Sequence, residues 1–173
     1  MIPTASSNRS RLANQIAVVF LGMYTGVMVA IGLGFGRYWL SLSSADFVRW
    51  FTANFWFLLP TIAATLPLAL VGSLWSLRLS QGGPQHGRWR IVVALLVATL
   101  LVTVGYHLPA NVRLGSGELG GPGVHTELVR WLWAHALRVG LAFAATWISH
   151  RASLEPQDGE AEQASMKRVR ARL

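Results

Sequence analysis

Apolar residues fall into four long runs, about residues 15–36, 53–79, 90–108 and 128–150. Each is near the ~20 residues that a helix needs to cross a bilayer. Polar residues inside the runs recur at helical spacing rather than at random. In the fourth run, 100° per residue places Glu127, Trp131, His135 and Arg138 within an arc of about 80°. Ala142, Thr146 and Ser149 continue that face. Val129, Leu132, Trp133, Val139, Phe143, Trp147 and Ile148 occupy the opposite one. In the third run Thr99, Thr103 and His107 share a face at i, i+4 and i+8. In the second, Asn54, Thr61, Thr65, Gly72 and Ser76 align. The pattern predicts helices with an apolar outside and a thin polar inner stripe.

Prolines and glycines modify this picture. Pro60 and Pro67 are expected to bend the second helix, with threonine hydroxyls meeting the carbonyls that they free. Pro109 is expected to close the third helix just after His107. Gly22 and Gly26 form a small-xxx-small pair that predicts close approach of a neighbouring helix. A glycine-rich connection, GSGELGGPGVHTE, precedes the fourth helix, and Glu127 is placed to favour its first turn. The first run is too long for the apolar part of a signal peptide and no small-x-small site follows it, so it reads as a retained helix.

Composition agrees with lipid as the solvent. Of 173 residues, 53% are hydrophobic and only 13% charged, against about a quarter charged in a soluble domain. The net charge of +8 does not point to nucleic acid, because the basic residues lie between and beyond the apolar runs. Arg9, Arg11, Arg78, Arg88, Arg90, Arg151, Lys167, Arg168, Arg170 and Arg172 fall on one side of the predicted membrane; Arg37, Arg49, Arg113 and Arg130 fall on the other. The positive-inside rule then places both termini in the cytoplasm. The expected architecture is an all-α bundle of four transmembrane helices over 15–150, in the plasma (bacterial inner) membrane. A short cytoplasmic segment, 1–14, precedes it, and a polar, disordered tail, 151–173, comes after it. The tail's KRVRAR cluster is expected to rest near anionic headgroups. A homo-oligomer or a larger membrane complex is compatible with this plan.

Candidate chemistry centres on Arg138. It lies roughly 16 Å along the helix from Glu127, near mid-membrane. An arginine there costs at least ~2.5–3.5 kcal/mol on insertion scales and calls for a partner, yet no carboxylate lies at that depth in any run. The acceptors left are threonines, asparagines, backbone carbonyls freed by Pro60 or Pro67, water, or an anionic or carbonyl-bearing ligand. The chain has no cysteine, which excludes disulfides, thiolate-bound metal clusters and covalent c-type haem.

The spacing W-x-x-x-H-x-x-R (Trp131, His135, Arg138) resembles the anthrone oxygenase-like family of small four-helix membrane proteins. P-x-N-x-R-L (Pro109, Asn111, Arg113, Leu114), the glycine-rich GMYTGVMVAIG and the FTANF stretch with Asn54 do so too. The resemblance covers about residues 15–150. Some members of that family oxygenate polycyclic phenolic anthrones to anthraquinones. The resemblance therefore implies an oxidoreductase acting on a lipophilic aromatic or quinol-like compound, in a pocket in the outer half of the bundle. His135 is then the expected base, suited by an ordinary pKa near 6.5, and Arg138 holds the oxyanion. Asn54, Asn111 and Thr103 are expected to orient the substrate, and Trp131 and Tyr24 to stack on it. Arg113, His107 and Glu127 complete the candidate binding set. Such a carbanion reacts with oxygen without an obligatory cofactor. Two alternatives stand beside this reading. One is a haem or metal site using His107 and His135, expected at different depths. The other is a non-catalytic membrane subunit, scaffold or transporter component.

Overall fold

The computed structural model describes residues 5–154, and among these there are helices and turns but no strands. Four long helices account for nearly all of them. Helix α1, residues 5–41, is α-helical over Ala5–Ala30, π-helical over Ile31–Phe35 and α-helical again over Gly36–Ser41. Helix α2, residues 44–79, comprises Ser44–Asn54, a 3₁₀ turn at Phe55–Leu58 and Leu59–Leu79. Helix α3, residues 86–116, comprises His86–Val102, a π-helical turn at Thr103–His107 and Leu108–Ser116. Helix α4 runs unbroken over Gly121–Ser153. Most of the predicted tail, from residue 155 on, lies outside the described residues, as do residues 1–4.

All four helices are longer than their apolar runs. The second starts at Ser44 rather than near residue 53. Ser43 caps it, its hydroxyl accepting from the Asp46 N–H at 3.2 Å while donating to the Asp46 carboxylate, which meets one of the open N–H groups of a first turn. The third does not stop at Pro109. One turn earlier the helix widens, and the Leu108 N–H reaches back five residues to the Thr103 carbonyl. A wider turn is where a proline ring, which clashes with a carbonyl in regular α-helix, is accommodated. The chain ends α3 at Gly117, whose φ of 73° favours glycine. Most of the glycine-rich connection is helical, because α3 runs to Ser116 and α4 begins at Gly121; Glu127 lies well inside α4, not at its cap.

The threonines of α2 do not meet the carbonyls that its prolines free. Pro60 removes the donor for the Trp56 carbonyl, and the 3₁₀ turn replaces it with the Leu59 N–H. Thr61 and Thr65 bond the carbonyls of Leu58 and Thr61, neither of which a proline frees.

Short connections at 42–43, 80–85 and 117–120 make neighbours antiparallel. Each helix packs on the next, and α4 closes the ring against α1. The closest approach of one helix to another's backbone is at Gly72 of α2, where an added Cβ would stand 2.9 Å from the Ala17 backbone nitrogen of α1. Gly22 and Gly26 are not the close-approach pair, since nothing lies within 4 Å of a Cβ built at either; that face of α1 points out of the bundle.

The two ends differ. At one, Trp39 packs against Phe35, Trp50, Phe47, Phe51 and Trp131 at ring separations of 5.5 to 6.0 Å. The Ser44 hydroxyl donates to the Gly121 carbonyl and ties the two turns of that end together. The other end carries Arg9, Arg11, Arg78, Arg88, Arg90 and Arg151. Within residues 8–41, 44–79 and 86–116 the helices are long and apolar enough to cross a membrane. At 33 residues α4 is also long enough, but its apolar run is diluted by Glu127, Arg130, His135 and Arg138.

Candidate functional site

The inner stripe of α4 is buried as the periodicity predicts: Glu127, Trp131, His135, Arg138, Ala142 and Ser149 all face the bundle. Trp133, Leu137, Phe143 and Trp147 are exposed on the other side. Leu132 and Val139, expected outside, are half-buried and pack on the core.

Arg138 is 4% exposed and has only neutral partners. One terminal nitrogen donates to the Thr103 hydroxyl at 3.1 Å, and the other to His135 Nδ1 at 2.8 Å. The Trp131 ring lies 5.9 Å from the guanidinium carbon, within cation–π range. Its Nε is buried and has no hydrogen-bond partner. The expected carboxylate shortage holds among the described residues: Asp46 pairs with Arg49, Glu127 pairs with Arg113, and Glu118 is exposed near the α3–α4 turn. Carbonyls near Pro60 or Pro67 do not hold Arg138.

His135 is fixed from both sides. Its Nε2 stands 2.8 Å from the Met28 carbonyl. A carbonyl only accepts, so Nε2 carries the proton and the Nδ1 lone pair receives the arginine. The ring reaches Met28 because α1 offers Gly32 there; a Cβ at Gly32 would meet the ring at 3.2 and 3.3 Å. On its face, the Trp131 indole stacks at 5.1 Å and 9°. One face of Trp131 is thus taken by His135, and its Nε1–H donates to Asn111 Oδ1 at 2.8 Å.

The π-helical turn of α3 supplies two more residues. Thr103 receives Arg138 and passes its own proton to the Thr99 carbonyl at 2.8 Å. His107 sits edge-on to Trp131 at 4.9 Å and to His135 at 6.2 Å. The expected difference in depth between the histidines is therefore absent. Because α3 continues to Ser116, His107 lies about nine residues, or ~13 Å, from the helix end. From α1, Tyr24 is fully buried, one turn from Met28 as Arg138 is one turn from His135. Its hydroxyl has no partner, and neither has Nε2 of His107. Three buried polar atoms without partners thus belong to residues of this one cluster, Nε of Arg138 among them. Such atoms are rare in folded proteins because each costs free energy comparable to a lost hydrogen bond.

Nearer the aromatic end, Arg113 donates to Glu127 at 2.5 Å, and the Tyr106 hydroxyl reaches the same oxygen at 3.4 Å. This group lies one helical turn of α4 from Trp131. Asn54 does not join the cluster; its amide donates to the Trp50 carbonyl of its own helix.

Both nitrogens of His135 are engaged in this arrangement, one by a cation, and among the described residues no three of His, Asp and Glu stand together as ligands for a metal ion.

Sequence reasoning missed Met28, Gly32 and Tyr106, together with both π-helical turns. Such turns appear often at functional sites. The available signals were Gly32, Gly34 and Gly36 late in α1, and Gly105 followed by Pro109 in α3. Comparison of the chain with protein-family profiles, curated proteins and solved structures finds no match.

Proposed function

We propose that all four helices cross the membrane, and that the bundle binds a lipophilic, oxygen-bearing small molecule at Arg138. The observation that carries this is the buried guanidinium itself: it has no carboxylate, its Nε lacks a partner, and the buried Tyr24, one turn of α1 from the Met28 that holds His135, has an unpartnered hydroxyl as well. An intramembrane ionisable group is costly enough to be functional by default. The absence of a carbonyl cage supports a ligand over a purely structural clamp. The test is native mass spectrometry of the full chain released from mild detergent. A small-molecule adduct on the wild type that disappears in Arg138→Met supports the reading. An identical spectrum for both proteins sinks it.

The arginine-rich end faces the cytoplasm in this reading, by the positive-inside rule, so both termini lie there and the aromatic end lies outside. The cysteine-free chain makes this direct to check. Ser116→Cys should label with an impermeant maleimide on intact cells, and Gln81→Cys only after lysis. The reverse pattern inverts the topology.

A catalytic reading, the one implied by the resemblance to the anthrone oxygenase-like family, is favoured by one observation: a histidine nitrogen without a partner, Nε2 of His107, on a ring 6.2 Å from that of His135, the residue that receives Arg138. The lone pair of His135 is committed to Arg138, so His107 becomes the candidate base and Arg138 holds the oxyanion. With anthrone as probe, one dioxygen is consumed and the ring methylene becomes a carbonyl with release of water. Oxygen uptake by the wild type that is lost in both His107→Gln and Arg138→Met supports this reading. No uptake above the protein-free rate removes it and leaves the binding reading standing.

A further inference from the structure

We infer that the molecule held at Arg138 is a monoanion, a carboxylate or phenolate on an apolar body, and that Tyr24 is its second hydrogen-bond donor. This rests on the binding reading above and goes further by assigning charge and a second contact.

The charge is set by a census of the site. Thr103 is a neutral acceptor whose proton is already committed to Thr99. His135 offers a lone pair and is neutral in this arrangement, because its only proton sits on Nε2 against Met28. The Trp131 ring contributes a quadrupole, not a charge. The three carboxylates among the described residues are paired elsewhere or exposed. The site therefore carries one uncompensated positive charge. In a low-dielectric interior an isolated charge is penalised far more than a pair. A neutral carbonyl would satisfy Nε–H and leave the charge in place; a monoanion satisfies the hydrogen bond and removes the charge. A dianion would overcompensate.

The second donor is set by geometry. The Tyr24 side chain is fully buried and its hydroxyl has no partner; it stands one turn of α1 from Met28, as Arg138 stands one turn of the adjacent α4 from His135, and Met28 and His135 are in contact. A hydroxyl so placed and an arginine Nε–H together suit a single anionic oxygen, and hydrogen bonds to a charged partner are about twice as strong as neutral ones. The aromatic body of Tyr24 and its neighbour Met28 leave the rest of the ligand an apolar setting.

The test uses the full chain in a non-ionic detergent at pH 8, with two matched pairs of probes: dodecanoate against methyl dodecanoate, and 2-naphthoate against methyl 2-naphthoate. Thermal unfolding is followed through tryptophan fluorescence, and the shift against probe concentration gives an apparent affinity. At least one carboxylate should stabilise the wild type saturably, with its ester binding at least about tenfold more weakly. Tyr24→Phe should weaken the carboxylate by about tenfold without changing the unliganded midpoint much. Arg138→Met should abolish the effect. An ester that binds as well as its acid overturns the monoanion while leaving a site at Arg138. A carboxylate that binds equally to wild type and Arg138→Met overturns the site as well. If neither carboxylate shifts the midpoint, the monoanion is also overturned, and if Tyr24→Phe binds like wild type, the second donor is.

Discussion

Arg138 donates to Nδ1 of His135 at 2.8 Å, and Nε2 of the same ring stands 2.8 Å from the Met28 carbonyl of α1. The imidazole is thus a bridge between the guanidinium and the backbone of another helix, and it decides which nitrogen carries the proton. With 15N-labelled histidine, His135 is expected to show a protonated Nε2 and an unprotonated Nδ1. Arg138→Met removes the donor to Nδ1 and leaves the Met28 contact, so the tautomer should persist. A Nδ1–H signature in the wild type contradicts the bridge.

The close fit of His135 over Gly32 gives a paired prediction. An alanine at Gly32 needs the ring to yield by a few tenths of an ångström, since its Cβ would stand 3.2 Å from Cδ2. Moving the ring lengthens the Met28 contact and disturbs Arg138. Overpacking of this kind costs typically ~1–3 kcal/mol. Gly26→Ala is the control: its Cβ meets nothing within 4 Å, and alanine is the better helix former by up to about 1 kcal/mol. Thermal unfolding in detergent should therefore place Gly32→Ala below wild type and Gly26→Ala at or above it. Equal midpoints for the two variants argue against the fit.

The same logic applies to the α1–α2 crossing, with a harder outcome. At Gly72 the atoms in the way are the backbone nitrogen and Cα of Ala17, at 2.9 and 3.0 Å. Backbone does not rotate aside as a side chain does, so Gly72→Ala must separate the helices. We expect it to be the most damaging of the three alanine substitutions, by about 1–3 kcal/mol relative to wild type. A midpoint unchanged from wild type shows that the helices cross more loosely.

These glycines show why part of the molecule was legible in the sequence and part was not. The inner stripe of α4 was legible because burial there follows the 3.6-residue period, and Glu127, Trp131, His135 and Arg138 all face inward as the spacing predicts. The lack of a carboxylate for Arg138 was legible because it is a fact of composition and depth. Helix ends were not, because α2 begins with the polar SADFVRW turn and α3 continues past Pro109, where hydropathy falls but hydrogen bonding does not. The two π-helical turns were invisible to a periodicity argument, since each adds one residue to a turn and rotates the later residues of its helix away from the faces that a regular period assigns them. One of them holds Thr103 and His107 in α3; the expected separation of the two histidines failed because that helix continues past Pro109 to Ser116. Which glycines allow close approach depends on the partner helix, information that no single helix contains.

The Arg113–Glu127 pair sits where a surface ion pair becomes a partly buried one: the arginine side chain is 44% exposed and the glutamate 10%. An exposed pair is worth ~0.2–1 kcal/mol. Partial burial of Glu127 should place the coupling near the top of that range, discounted for solvent on the arginine. A double-mutant cycle of Arg113→Gln and Glu127→Gln measures it. Glu127→Gln alone should cost less than Arg113→Gln alone, because the second leaves a buried carboxylate without its cation. Additive effects show that the pair is not coupled.

The sharpest division between a structural and a functional arginine is the sign of the stability change in Arg138→Met. Methionine has similar length and no charge, and it packs adaptably in apolar surroundings. If Arg138 clamps the helices, removing it breaks its bonds to Thr103 and His135, with a cost of about 1–3 kcal/mol for each charged hydrogen bond lost. If Arg138 is held ready for an anion, the unliganded protein bears the burden of a cation without a counter-charge, at least ~2.5–3.5 kcal/mol at this depth. Removing it relieves that burden and leaves behind only acceptor lone pairs on Thr103 and His135, which are cheaper to leave unmet than a charge. The expected result is a ligand-free midpoint at or above that of the wild type, measured after exhaustive delipidation. Loss of several kcal/mol in that measurement assigns Arg138 to the fold rather than to a ligand.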